Sequence, residues 1–242
     1  MKEQILYYAV KYKGNWNKIQ EALQKRESWS NITYEGNYVT LGETAYPDKL
    51  EHLQYPPWII FYEGDLELLN RSGVGVIGSR MCSAQGIHDC HTAVSILKQR
   101  YVILSGLAKG IDAAAHEEAL DKATVGIIGC GLDITYPYEN GGLYETMRHH
   151  HLLLSEYPYG TKPYAAHFPW RNRIIAALSD AIVVIEARKR SGSMLTVNEA
   201  VNLDIPIYCL PAAFGLSTKE GCNLLIAQGA NILVDDKDIA LI

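Results

Sequence analysis

The stretch GVGVIGSR, residues 73–80, decides the reading of the fold. Val74–Ile77 is a short apolar, β-branched run, and Gly78-Ser79-Arg80 follows it directly, ahead of a helical pattern near Ala84–Lys98. An apolar run that ends in small and polar residues and leads into a helix reads as a buried strand leaving a sheet. The same unit recurs downstream. Val102–Leu104, Val125–Ile128, Leu152–Leu154, Ile182–Ile185, Ile207–Leu210 and Ile232–Val234 are further runs of this kind. Helical spacing lies between them, at Ile111–Leu120, Arg171–Leu178, Ser193–Leu203 and Gly221–Gln228. Alternating strands and helices predict an α/β fold with a mostly parallel sheet and helices on both faces. Runs apolar throughout suit strands covered on both sides. Right-handed crossovers then bring every carboxyl end to one edge, where the ligands of such sheets bind.

Gly73, Gly75 and Gly78 also satisfy G-x-G-x-x-G literally. A dinucleotide fingerprint follows a strand and opens a helix. Here the pattern contains the strand itself, and the next strand ends in Ser105-Gly106 rather than in an acid. No dinucleotide is expected, and no other cofactor or metal. Upstream the pattern changes. Ile5, Leu6, Ala9, Val10, Ile19, Ala22 and Leu23 fall at near-helical spacing, interrupted around Gly14-Asn15. Residues 1–40 are therefore expected to hold a small helical element, with the main domain over 41–242. A stretch rich in Tyr, Trp and Pro, from Trp29 to Tyr62, is expected to pack onto the main sheet.

The 242 residues suffice for one large domain with a small appendage. A formal net charge of −5 excludes a surface coated in phosphate-binding cations but allows a local cluster of them. Any nucleic acid must then lie in a restricted groove. No apolar stretch reaches the ~18–20 residues of a membrane span. The charged N-terminus MKEQILYYAVKYK makes a poor secretory signal. Cys82, Cys90, Cys130, Cys209 and Cys222 form no C-x-x-C, as expected of reduced thiols in a cytoplasmic protein.

Small and polar residues follow each strand. Gly78-Ser79-Arg80 offers backbone N–H groups at a helix start, a hydroxyl and a forked guanidinium, all suited to a phosphate. Ser105-Gly106-Leu-Ala-Lys109-Gly110 follows the second strand, Gly129-Cys-Gly-Leu-Asp133 and Tyr136-Pro-Tyr138-Glu-Asn140 the third. Ser155-Glu-Tyr-Pro158 follows the fourth, and Ser191-Gly192-Ser193 follows the fifth and opens a helix. Such loops let a ligand approach the backbone and form anion-binding nests. Their convergence on one edge predicts a phosphate-binding groove.

Phe168-Pro169-Trp170-Arg171-Asn172-Arg173 is the densest segment. Arg171 and Arg173 are two apart and cannot share a helix face, so one is expected at the ligand and the other as a brace. Phe168 or Trp170 either stacks on a base or belongs to the core. Arg188-Lys189-Arg190 adjoins the Ser191 loop and is either solvated surface or a phosphate contact. Asp112 and His116, four apart, read as structural bracing because no third metal ligand accompanies them. His149-His150-His151 reads as an exposed helix end.

Taken together the motifs resemble the DNA-processing protein A (DprA/Smf) family. The likeness runs from Tyr46-Pro47 through Phe61-Tyr62-Glu63-Gly64, Val76-Ile77-Gly78-Ser79-Arg80 and Ser105-Gly106 to Gly110-Ile-Asp112 and His116. It continues through Gly129-Cys-Gly-Leu-Asp133, Leu154-Ser155-Glu156, His167-Phe168-Pro169 and Arg171-Asn172-Arg173, and closes with Ser191-Gly192-Ser193 and Gly221-Cys-Asn223-Leu-Leu-Ile226. The resemblance implies an extended Rossmann-like fold without a bound dinucleotide. It implies single-stranded DNA binding, homodimerisation, and delivery of the RecA recombinase to incoming DNA in natural transformation. It implies DNA contact by Arg80, and pairing of two chains through the region of Asn223, Ile226 and Ile232. At Tyr138 the family often carries a lysine, and a tyrosine cannot neutralise a phosphate. Lys109 or Arg188–Arg190 would then carry that charge. The resemblance also implies that the winged-helix extension of some members is absent, and that residues 1–40 are short for a full additional domain.

A rival reading is an enzyme. Ser191-Gly-Ser193-Met-Leu195-Thr196-Val-Asn-Glu199 resembles the P-G-G-x-G-T-x-x-E loop of nucleotide phosphoribohydrolases related to lysine-decarboxylase-like proteins. Ser193 and Leu195 replace two glycines of that loop and crowd it. The expectation is a binding module rather than an enzyme.

Overall fold

The computed structural model describes residues 1–213 and 215–242. Among these, nine strands form one sheet. They are β1 (Asn37–Thr40), β2 (Ile59–Gly64), β3 (Gly73–Ile77), β4 (Val102–Ser105), β5 (Thr124–Ile128), β6 (Leu152–Ser155), β7 (Ala181–Val184), β8 (Ile207–Cys209) and β9 (Asn231–Ile232), in the spatial order 1-2-6-5-4-3-7-8-9. From β6 to β9 every neighbouring pair is parallel, whereas β1 and β2 join antiparallel beside β6. The chain thus works outward from β3 to β6, then returns to lay β7 against the other side of β3. That reversal opens a crevice at the carboxyl ends of β3 and β7.

Helices α1 (Lys2–Lys11), α2 (Trp16–Gln24), α3 (Asp48–Glu51), α4 (Ala84–Leu97) and α5 (Ile111–Ala119) precede α6 (Gly141–His150), α7 (His167–Leu178), α8 (Gly192–Asn202), α9 (Glu220–Ala227) and α10 (Asp236–Ala240). Strand residues alternate between two faces. Val102 and Leu104 join Ile174, Leu178 and Val197 on one face. Ile103, Val74 and Val76 join Val94, Leu97 and Ala115 on the other. Both faces are apolar because both are covered, which is why the strands read as unbroken hydrophobic runs.

The three glycines of the false fingerprint have packing roles. A β-carbon on Gly75 would lie 2.5 Å from Ile182 Cδ1 and 2.7 Å from Ser179 Oγ. One on Gly78 would lie 2.5 Å from Ile111. Small residues here let β7 and α5 close onto β3.

Residues 1–40 hold the helices α1 and α2 but are not helical throughout. The last of them, Asn37–Thr40, form β1 of the main sheet. Ile5, Tyr8 and Ile19 share a buried cluster with Phe61, Ile128 and Leu153. Asn15 caps α2, its side chain accepting from Lys18 N at 3.0 Å. Gly14, at φ +72°, turns the chain there, and a β-carbon would meet Glu156 O at 2.7 Å. Trp16 Nε1 donates to Pro56 O at 2.7 Å. The Tyr-, Trp- and Pro-rich stretch is the seam between these helices and the sheet.

His116 is fully buried on α5. Thr124 Oγ1 donates to Ile103 O at 2.8 Å, so it accepts from His116 Nδ1–H at 2.6 Å. Nε2 has no partner among the described residues, and burial pulls the imidazole down to about 3. The unfolded chain takes up this proton near pH 6.5. The stability of the neutral, buried ring is therefore present above pH 6.5 and drains away as pH falls towards 3. Urea midpoints should drop between pH 7 and 4.5. His116→Gln should flatten that slope by up to about 1.4 kcal/mol per pH unit, one proton's share. An unchanged slope would remove His116 as its source.

Candidate nucleic-acid interface

The crevice between β3 and β7 is a cleft of about 540 Å³. The loops that follow β3, β4, β5, β6 and β7 all reach it. Ser79 and Arg80 come from β3, Ala108 from β4, Tyr136 from β5, Pro163 and Ala165 from β6, and Arg188 to Ser193 in part from β7. Phe168, Arg171 and Asn172 of α7 form the facing wall.

The turn after β3 is tied on three sides. Ser79 N donates to Glu186 O at 2.7 Å, and Ser79 O accepts from Ile111 N at 3.2 Å. Ser79 Oγ accepts from Met81 N at 3.2 Å. The buried Glu186 side chain accepts from Ser83 Oγ at 2.7 Å and from Ser83 N at 3.2 Å. Gly110 takes φ +77°, and a β-carbon there would strike Ser79 O. These ties leave Arg80 exposed with its guanidinium 5.4 Å from the Phe168 ring centroid. Phe168 in turn lies against Tyr136, with centroids 5.5 Å apart and planes at 34°.

On the β7 side α8 points its N-terminus at the cleft. Ser193 Oγ donates to Gly78 O at 2.8 Å, and Asn172 Nδ2 to Gly192 O at 3.3 Å. Ser191 is the N-cap, yet its hydroxyl makes no cap bond and has no partner among the described residues. Arg188 and Arg190 are exposed at the same rim. None of the ion pairs among the described residues involves Arg80, Arg188 or Arg190. A helix start without a side-chain cap, a hydroxyl without a partner and three arginines outside any ion pair, all among the described residues, have the chemistry an anion calls for.

Other expected contacts sit beneath or beside the cleft. Ser105 is fully buried and donates to Val76 O at 2.6 Å, so it is a brace and not a contact. Gly106 makes room for Arg171, since a β-carbon would lie 2.5 Å from its Nη1. Arg171 is 3% exposed and donates to Gly106 O at 2.8 Å and to Ile127 O. It is a buried part of the facing wall, with Nε unpartnered among the described residues. Burial raises the Asp112 carboxyl above its ordinary range, against the opposing pull of Arg171 and Arg80. Arg173 faces away from the cleft. It forms a two-pronged pair with Glu156 at 2.6 and 2.7 Å and lies over Trp170 at 4.2 Å. Helical geometry thus splits the two arginines, but both are buried supports.

Lys109 pairs with Glu139 at 2.5 Å outside the lining, and Asn140 Nδ2 donates to Leu107 O at 3.0 Å. Gly110 shapes the turn. Tyr138 projects into solvent, 88% exposed. Glu199 of the enzyme reading does not line the cleft. His149 and His150 are exposed at the end of α6, whereas His151 is buried. Sequence reasoning missed Tyr136 as a wall and Glu186 as the clamp. Glu186 gave one signal, an acid at the end of an otherwise apolar strand. At the far edge Asn223 bonds Ala212 N and O at 2.9 and 3.0 Å, Ile226 packs partly on the core, and Ile232 is 47% exposed on β9.

No helix among the described residues is long and apolar enough to cross a membrane. A family model, DNA recombination-mediator protein A, matches residues 37–241. DNA processing protein DprA of Streptococcus pneumoniae is 40% identical over 199 residues, 81% of this chain and 71% of that one. Its Bacillus subtilis counterpart is 35% identical over 207 residues, 84% of this chain and 70% of that one. The solved Streptococcus pneumoniae structure superimposes with a TM-score of 0.84 at 32% identity, covering 100% of this chain and 93% of that one. A Helicobacter pylori DNA processing protein A, solved to examine its single-stranded DNA binding mode, gives 0.77 at 31% identity over 87% and 97% of the two chains. By matched length, identity and shared fold, this chain belongs to the DNA recombination-mediator protein A family.

Proposed function

We propose that this protein binds single-stranded DNA in the cleft between β3 and β7, as a binding module rather than an enzyme. The observation that carries the reading is the gathering of Arg80, Arg188 and Arg190, all without acid partners among the described residues, around the N-terminus of α8. In a chain of net charge −5, these three arginines still form a local cluster of cations at the rim of the cleft. The solved relative from Helicobacter pylori, studied for its single-stranded DNA binding, supports the same conclusion.

Phosphates lie against Ser79, Ser191 and the arginines, and bases stack on Phe168 and Tyr136. Both kinds of contact tolerate any sequence. With Tyr138 neutral, and Lys109 engaged by Glu139, the rim arginines supply the charge. Two chains pair through the β9 edge, where Ile232 and Val234 stand 47% and 71% exposed. Pairing places two clefts on one strand and raises their effective concentration. Family membership supports a cytoplasmic role in protecting incoming DNA and passing it to RecA during transformation.

Two measurements test this reading. Arg80→Ala should weaken binding to every oligonucleotide alike and lower the salt slope by about 0.7, one phosphate's share on a single strand. Unchanged affinity and slope would take Arg80 out of the interface. Ile232→Asp should halve the mass seen in solution, because a charge at an apolar contact stays solvated only in the monomer. A dimer that survives the change would place the contact elsewhere.

A further inference from the structure

A second hollow, of about 340 Å³, lies where the turn between α1 and α2 meets the loop after β6. That volume is within the roughly 300–1,000 Å³ of small-ligand sites. Its walls are aromatic: Trp16, Tyr157, Tyr164, His167 and Trp170. Tyr157 and His167 are stacked, with centroids 3.9 Å apart and planes at 11°. Tyr164 stands edge-on to His167 at 5.3 Å and is 53% exposed. Thr161 also lines the hollow. It is 1% exposed, and its hydroxyl has no partner among the described residues. Burying a hydroxyl unpaired is costly, so a ligand that bonds it gains accordingly.

His167 adds a second polar point. Its Nδ1 lies 3.0 Å from Gly129 O, so that nitrogen carries the hydrogen and Nε2 is left as an acceptor. Among the described residues Lys13 is the one cation of the lining, against four arginines in the first cleft. A flat ring with polar edges therefore suits this hollow better than a phosphate.

The two hollows stand back to back across the start of α7. Phe168 and Pro169 line the first, while His167 and Trp170 line the second. One helix is about 10–12 Å across with its side chains, so a strand of a few nucleotides spans both. We propose that the second hollow seats a nucleobase of the same single strand that the first cleft holds, which makes the N-terminal helices part of the DNA site. This inference rests on the single-stranded DNA reading above.

The test is affinity for oligothymidylates of increasing length. Tyr164→Ala is the variant, because its side chain is exposed and the fold is spared. Oligomers too short to cross α7 should bind parent and variant equally. Longer ones should bind the variant about five- to 150-fold more weakly, the effect of losing one aromatic–base stack. The salt slope should not change, and Tyr164→Phe should restore affinity. Thr161→Val, which keeps the shape and removes the hydroxyl, should also weaken only the longer oligomers. Equal affinities at every length, or an equal loss at every length, would overturn the inference and leave the first cleft standing. Failure of the parent protein to bind any oligonucleotide at low salt would instead overturn the proposed function, and this inference with it.

Discussion

The cleft depends on one buried clamp. Glu186 closes β7 with its carbonyl on Ser79 N and its carboxylate on Ser83. Hydrogen bonds to a charged group contribute roughly 1.5–3 kcal/mol each, and a buried carboxylate deprived of them costs more. The clamp therefore sets where the turn after β3 leaves the sheet. Gly86 is part of the same device, since any side chain there would occupy the space of the carboxylate. Arg80 receives its position from this arrangement, although no atom of Arg80 takes part in it.

A second layer of support lies under the surface. Arg171 spends its hydrogen bonds on the carbonyls of Gly106 and Ile127, tying together the ends of β4 and β5. Arg173 ties α7 to the loop after β6 through Glu156. Ser105 and Asn140 hold the loops around them in the same way. Polar residues thus cluster at the carboxyl edge for two reasons. Some stand exposed in the cleft, and others satisfy backbone groups that end their strands without partners.

That double use marks the limit of the sequence. The parallel core was legible because its strands are apolar on both faces, and the turn residues at their ends were legible because few other residues fit there. Ser79, Arg80 and the Ser191–Ser193 loop could be placed from spacing alone. Ser105 and Arg173 could not be told from ligand contacts, because a buried serine and a paired arginine look the same in sequence as exposed ones. Strands β1 and β2 escaped notice for a different reason. They pair antiparallel at one edge, and their Tyr-rich pattern serves the N-terminal helices as much as the sheet.

The contrast between a cationic cleft and an acidic chain has a consequence for partner choice. At physiological salt a charge is felt over only about 8 Å. Within that range a strand whose bases are unstacked can fold its backbone down to the three arginines and its rings onto Phe168. On the proposed function, preference for a flexible strand over a stiff one would follow from the concavity of the cleft and its cationic rim together, without any reading of base identity.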